Sequence, residues 1–193
     1  MTNEYDLIAD IYEDFFNKAE FQDEDKKLAE VMPYPSGDIL DIGCGQGLAY
    51  YLLFSKIPTK DPTAFSYYGI DPSQKMLDKF GIPQCYKNVQ TEKTTFEDFK
   101  TDKKFDTIIS IYGGASYIEP TAVGKIKDLL KEGGRFFIMY YKDNYEPITH
   151  QMAKGKVELK NNKFTDYVPF FRAISENVIF KEWHNYIIAE GTV

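Results

Sequence analysis

The strand-like run Ile39-Leu40-Asp41-Ile42 passes straight into Gly43-Cys44-Gly45-Gln46-Gly47, and a helical pattern starts at Leu48. No other feature restricts the fold as much. Glycines let a chain turn sharply out of a buried strand and let a ligand press against main-chain atoms. A plain strand-to-helix turn needs one or two of them, not three alternating ones behind an acidic strand end. The spacing is GxGxG, whereas the dinucleotide fingerprint is GxGxxG and seats a pyrophosphate on a helix N-terminus. Asp41 lies two residues before the first glycine. A carboxylate there repels a pyrophosphate and suits an ammonium or sulfonium, so the loop favours a cationic ligand.

Elements of the same kind repeat along the chain. Strand-like runs cover residues 66–71, 105–111 and 135–141, and helical stretches follow at residues 48–57, 73–80 and 121–132. Ser73 has the place of an N-cap and Gly81 that of a helix end. A further strand is expected around residues 85–89. Such alternation predicts βαβ units and a mostly parallel sheet with helices on both faces. Two adjacent strand patterns, residues 178–184 and 185–189, predict an antiparallel hairpin at one edge. At the start, Tyr5, Ile8, Ile11, Tyr12, Phe15 and Phe16 form one apolar stripe at helical spacing, predicting a helix over residues 5–16. A second helix is expected from about Asp23 until Pro33 and Pro35 stop it. Residues 142–177 show no readable period.

Composition narrows the function. With 30 acidic against 23 basic residues the net charge is −7, which argues against coating nucleic acid or an anionic membrane. The longest uninterrupted apolar run, residues 136–141, is far short of the ~20 residues that span a bilayer. Five acids in the first sixteen residues are wrong for a secretory or mitochondrial leader. Cys44 and Cys85 are too distant for a metal knuckle and too few for a disulfide framework. The expectation is a cytoplasmic protein without a metal.

At the end of the second strand stands Asp71, where a carboxylate can accept both hydroxyls of a ribose lying across the strand ends. Met76, one turn into the next helix, can pack its thioether on an adenine face. Taken together, these motifs resemble the class I S-adenosylmethionine (SAM)-dependent methyltransferases, over nearly the whole chain. Residues 39–47 resemble the family's first motif. Tyr68-Gly-Ile-Asp71 with Pro72-Ser-Gln-Lys-Met76-Leu resembles the second, and residues 105–118 and 129–137 resemble later ones.

The resemblance implies a single α/β domain over residues 1–193, with residues 1–35 as a helical lid and 36–193 as a Rossmann-like, doubly wound core. The sheet has seven strands and a reversed C-terminal hairpin. SAM is the implied cofactor. Asp41 and the backbone at Gly43 and Gly45 would meet its methionine end and Asp71 its ribose, with Cys44, Gly47 and Pro72 also among the cofactor-binding residues. Met76, Thr95 and the backbone of Phe96 would meet the adenine, although the third motif lacks the acid that many members carry there. Tyr5 and Tyr12 of the lid, and Ser110 and Ile111 after the fourth strand, complete the set.

Methyl transfer from a sulfonium needs placement and exclusion of water more than covalent help. Ser110-Ile-Tyr112-Gly-Gly-Ala-Ser-Tyr117 follows the fourth strand, so Tyr112 and Tyr117 are candidates beside the acceptor, with Gly113 and Gly114 permitting close approach. His184 is a third candidate base, and His150 a similar one in the unreadable stretch. Neither an Asn/Asp-Pro-Pro-Tyr/Phe run nor a Cys beside a Pro follows the fourth strand, as base methylases would require. A small-molecule acceptor is therefore expected and nucleic acid is not, with short protein or peptide acceptors still open. Two other readings remain at this point: a SAM-binding accessory protein without turnover, and a nicotinamide-dependent oxidoreductase, which the glycine spacing disfavours.

Overall fold

The structure is a computed structural model that describes residues 4–16, 18–81, 86–154 and 158–193. Its elements run α1 (Tyr12–Phe16), α2 (Ala19–Val31), β1 (Gly37–Ile42), α3 (Leu48–Ser55), β2 (Phe65–Asp71), α4 (Gln74–Asp78) and β3 (Val89–Lys93). There follow β4 (Phe105–Ser110), α5 (Lys125–Leu129), β5 (Leu130–Tyr141), α6 (Ile148–Ala153), α7 (Phe164–Ile174), β6 (Ile179–Trp183) and β7 (Tyr186–Thr192). The strands form one seven-stranded sheet in the order β3-β2-β1-β4-β5-β7-β6. Strands β1 to β5 are parallel, while β7 pairs antiparallel with both β5 and β6. This is the expected Rossmann-like sheet with its reversed hairpin.

The position of each strand follows from its residues. β1 and β4 are central, and the last four residues of each, Ile39–Ile42 and Thr107–Ser110, are buried. Burial on both faces calls for near-continuous apolar runs, and Ile-Leu and Ile-Ile supply them. The edge strands β3 and β6 instead carry Gln, Glu and Lys and have no buried residue. One face packs Phe105, Phe136, Tyr140, Tyr167 and Phe171, with Tyr140 and Tyr167 rings 4.3 Å apart. Leu28, Tyr50, Leu53 and Tyr67 pack on the other face. Each such side chain, fully buried, contributes about 1.5–3 kcal/mol.

Four expectations from sequence are revised. Residues 5–16 do not form one helix: a 3-10 turn over Glu4–Leu7 is followed by a further turn and the short α1. The polar side of the stripe supplies the reason. Asp6 is buried and accepts hydrogen bonds from Ser73 Oγ at 2.6 Å and Lys75 N at 3.3 Å, which ties the turn to the start of α4. The second helix begins at Ala19, earlier than Asp23. The helix before β5 ends at Leu129, because Leu130 already pairs with Phe105 in the sheet; residues 131–134 then form a bulge within β5, with Gly133 at φ +71° and bonded to Val193, before Arg135 pairs with Thr107. The unreadable stretch holds α6 and α7. The strand expected near residues 85–89 is β3, beginning at Val89, and Cys85 lies outside the described residues. None of the helices among the described residues is long and apolar enough to cross a membrane.

Candidate active site

The chain leaves β1 toward β2 on one side and later returns to β4 on the other, which makes the C-terminal ends of β1 and β4 a topological switch point. Open α/β sheets bind ligands in the crevice at such a point. A cavity of about 490 Å³ opens there, floored by Gly43, Cys44 and Gly45 and walled by Asp71, Pro72 and Met76. Ile111, Tyr112 and Tyr117 bound it from the β4 side, and Tyr5 and Tyr12 from the N-terminal segment.

The glycine loop is bound to the protein's own groups. Gly43 N and Cys44 N both donate to Ile70 O, at 2.9 and 3.0 Å, and Gly47 N donates to Cys44 O at 2.9 Å. Gly45 N donates to Asp71 Oδ2 at 2.9 Å. These amides are therefore not arranged as the nest of free N–H groups that cradles a phosphate. The glycines also have different duties. At Gly47 (φ +94°) an added Cβ would lie 2.7 Å from the Phe80 ring, so this glycine seats α3 against its neighbour. At Gly45 (φ +52°) an added Cβ would meet nothing within 4 Å. Cys44 is buried, and Gly69 on β2 leaves room for its sulfur.

Two buried carboxylates set the electrostatics. Asp41 is 1% exposed and lies beneath the cavity floor rather than on its surface. Its Oδ2 accepts from the hydroxyl of Tyr67, while Oδ1 has no hydrogen-bond partner among the described residues. Burial pushes its pKa up to about 7, against the pull of the Tyr67 hydroxyl and with help from the charge of Asp71. Asp71 accepts from Ser73 N at 2.8 Å through Oδ1 and from Gly45 N through Oδ2. Burial raises it to about 6, although those two amides favour its charged form. Ser73 Oγ in turn accepts from Met76 N and caps α4. Asp71 thus orients both the glycine loop and the helix that carries Met76. Two ionisable carboxylates raised by burial leave a site short of positive charge.

On the β4 side, Ser110 lies under the floor and donates from Oγ to Ile42 O at 2.7 Å. Tyr112 takes a left-handed backbone, φ +50°, and its hydroxyl donates to Asp25 Oδ1 at 2.6 Å. Its ring rests against Trp183 and Tyr186. Gly113 accommodates Tyr141, since a Cβ there would come within 2.5 Å of that ring, and it is Gly114 that faces the cavity. Tyr117 joins a hydroxyl chain: Tyr5 Oη donates to Tyr117 Oη at 3.1 Å, and Tyr117 Oη pairs with His150 Nε2 at 2.6 Å. His150 is 6% exposed, and burial lowers its pKa, so the ring is neutral near pH 7.

Some of the residues expected at the site stand elsewhere. Thr95 caps the turn after β3 through Asp98, and Phe96 is in the core; neither lines the cavity. His184 is exposed in the β6–β7 turn at φ +49° and is likewise off the cavity wall. Other wall residues were not expected from sequence: Asp25 of α2, Glu4 and Glu13 of the N-terminal segment, and Gln46, whose amide donates to Ala9 O at 3.4 Å. The glutamine lies inside the glycine motif and was there to be noticed. Asp25 carries no local signal at all.

Solved structures of the same architecture exist. DesVI from Streptomyces venezuelae superposes with a TM-score of 0.66 at 15% identity, over 94% of this chain and 97% of that one. A chain from the complex of the Haloferax volcanii Trm112 methyltransferase activator with a methyltransferase gives 0.69 at 16% identity, over 100% and 98%. DhpI in complex with S-adenosylhomocysteine (SAH) gives 0.68 at 14%, over 96% and 91%. At such identities the likeness is one of fold. No curated protein matches the sequence. The family model described as a methyltransferase domain matches residues 35–190, most of the chain, and so the protein belongs to the methyltransferase-domain family.

Proposed function

We propose that the protein binds SAM in this cavity and transfers its methyl group to an oxygen, nitrogen or carbon of a small molecule. One observation carries the reading: a buried carboxylate, Asp41, keeps an oxygen without a partner among the described residues, two positions before the glycines that floor the cavity. An unpaired buried carboxylate oxygen is costly unless a cation approaches. The amino group of a methionine moiety is such a cation, and the Gly43–Gly45 backbone leaves space for it. Asp71 has lone pairs left on both oxygens for ribose hydroxyls, since each carboxylate oxygen can accept twice. Pro72 and Met76 form the adenine side. When bound, SAM supplies an electrophilic methyl group on a good leaving group.

The chain's own contribution is then placement and dryness. Tyr112, Tyr117 and Tyr141 bound the acceptor end. For an acceptor that must lose a proton, Tyr117 Oη can take it while passing its own to His150 Nε2. Burial raises the Tyr117 pKa and keeps the His150 ring neutral, which suits a concerted relay better than a free tyrosinate. Among the described residues no Lys, Arg or His lines the cavity, which favours a small molecule over a polyanion such as RNA or DNA. Incubation with methyl-labelled SAM and a library of small molecules tests the assignment. Labelled product with one SAH per methyl supports it. SAM binding without any transfer would make the protein an accessory, and label on RNA, DNA or protein would overturn the acceptor class.

The raised carboxylates give SAM binding a pH dependence. A cationic ligand selects ionised Asp41, so below its pKa of about 7 binding must expel a proton. Affinity is expected to fall at least about tenfold from pH 7 to 5.5, with measurable proton release. The Asp41→Asn variant should bind weakly and show little pH dependence; an affinity for the unmodified protein that is flat across this range would remove Asp41 from the site.

Residues 4–16 would act as a lid. They cover the cavity with Tyr5 and Tyr12 and are held through Asp6 and Gln46. Hydrogen exchange of this segment is expected to slow strongly only when SAH is bound. Equal protection with and without SAH would make it a permanent part of the core.

A further inference from the structure

We infer that the acceptor carries a cationic amine, recognised by tyrosines and carboxylates that line the cavity beyond Asp41 and Asp71. This rests on the reading that SAM occupies the Asp41 and Asp71 end. Beyond Asp71, three carboxylates line the cavity: Glu4, Glu13 and Asp25. They come from three separate elements, the first turn, α1 and α2, and meet only here.

The rings beside them pack edge to face. Tyr5 meets Tyr12 at 60° with centroids 6.3 Å apart and Tyr117 at 84° with centroids 5.7 Å apart. Tyr117 meets Tyr141 at 84° and 6.4 Å. All four of these rings line the cavity and share its wall with the carboxylates. Aromatic faces attract an ammonium through the ring quadrupole, and rings grouped on one wall suit alkylated amines in particular.

The hydroxyls argue the same way, independently of the charges. A site for a carboxylate or phosphate needs cations or free donors. No Lys, Arg or His lines the cavity among the described residues. Three of the tyrosine hydroxyls on its wall are engaged within the protein, Tyr112 to Asp25, Tyr5 to Tyr117, and Tyr117 with His150. Behind Tyr117, His150 adds no charge, because burial, helped by nearby Lys154, holds it neutral against the pull of Glu146. An anionic group would enter uncompensated. A neutral alcohol would leave the three carboxylates without a counter-charge. An ammonium finds both counter-charge and ring faces.

Three probes of matched shape separate these cases: phenethylamine, phenethyl alcohol and 3-phenylpropionate, each titrated into the full-length protein saturated with SAH. The amine is expected to bind at least about tenfold more tightly than the alcohol, with the carboxylate weaker still. Asp25→Asn, which can still accept from Tyr112, should cut amine binding severalfold and leave that of the alcohol unchanged. Glu13→Gln, on the exposed side of α1, should act in the same direction if Asp25→Asn does not fold. An alcohol or carboxylate that matches the amine, or no amine binding at all, overturns the inference. Titration of SAH alone, done first, keeps the two readings apart: its failure removes the proposed function, whereas normal SAH binding without a preference for the cation removes only the amine.

Discussion

Replacing Asp71 with alanine is expected to weaken SAM binding about 10–100-fold, since a hydrogen bond to a charged group is worth about 1.5–3 kcal/mol. The effect has two sources. Asp71 would accept the ribose hydroxyls directly, and it also holds Gly45 N and Ser73 N, at 2.9 and 2.8 Å. Removing it releases the glycine loop at one end and the cap of α4 at the other, so both the floor and the adenine side lose definition. Asp71→Asn keeps one acceptor oxygen and should lie between the two. Calorimetry on variants shown to be folded reads the change; an alanine variant with unchanged affinity would leave Asp71 as a helix cap and nothing more.

Two glycines of the site should respond in opposite ways. Gly113→Ala is expected to destabilise the protein by about 2–5 kcal/mol, combining a strained left-handed backbone with overpacking. Its φ is +79°, and the new Cβ would approach the Tyr141 ring within 2.5 Å. That ring cannot swing aside cheaply, for it is buried and bordered by Tyr117, Tyr145, His150 and Tyr186. At about 2–4 °C per kcal/mol for a chain of this size, melting should drop by roughly 5–20 °C. Gly45→Ala should lower stability by only about 1–2 kcal/mol, the strain of its φ, because its Cβ meets no protein atom. It lines the cavity, so the methyl group intrudes on the ligand and SAM affinity falls instead. Thermal melts and SAM titrations of the two variants check the contrast. A Gly113→Ala protein that melts like the parent would show that Tyr141 moves freely.

The parts of this molecule that can be read from sequence are those where local and global signals agree. Ile39–Ile42 with its glycines, and Tyr68-Gly-Ile-Asp71 with the Ser73 cap, carry period, turn chemistry and charge within a dozen residues. They place β1, β2 and the cavity floor. What depends on distant pairing is harder. Asp25 and His150 reach their tyrosines across 87 and 33 positions, and no local pattern marks either. Residues 5–16 have a helical stripe, yet the buried bond between Asp6 and Ser73 breaks it. Near Gly133 the turn residues are plain in the sequence, but only the pairing of Leu130 with Phe105 shows where helix ends and strand begins. For Thr95 and Phe96, the third motif departs from the family pattern at the very position that would have identified an adenine contact. His184 has the right chemistry on a strand pattern, and the hairpin turns it out to solvent.

The central claim is that two carboxylates beneath a GxGxG loop make this switch point a site for a cationic nucleoside and not for a dinucleotide. Titration calorimetry with SAM, SAH and NAD, on one preparation at pH 7.5, tests it most directly. The account predicts saturable one-to-one binding of SAM and SAH and no heat from NAD. Binding of NAD with none of SAM would contradict it.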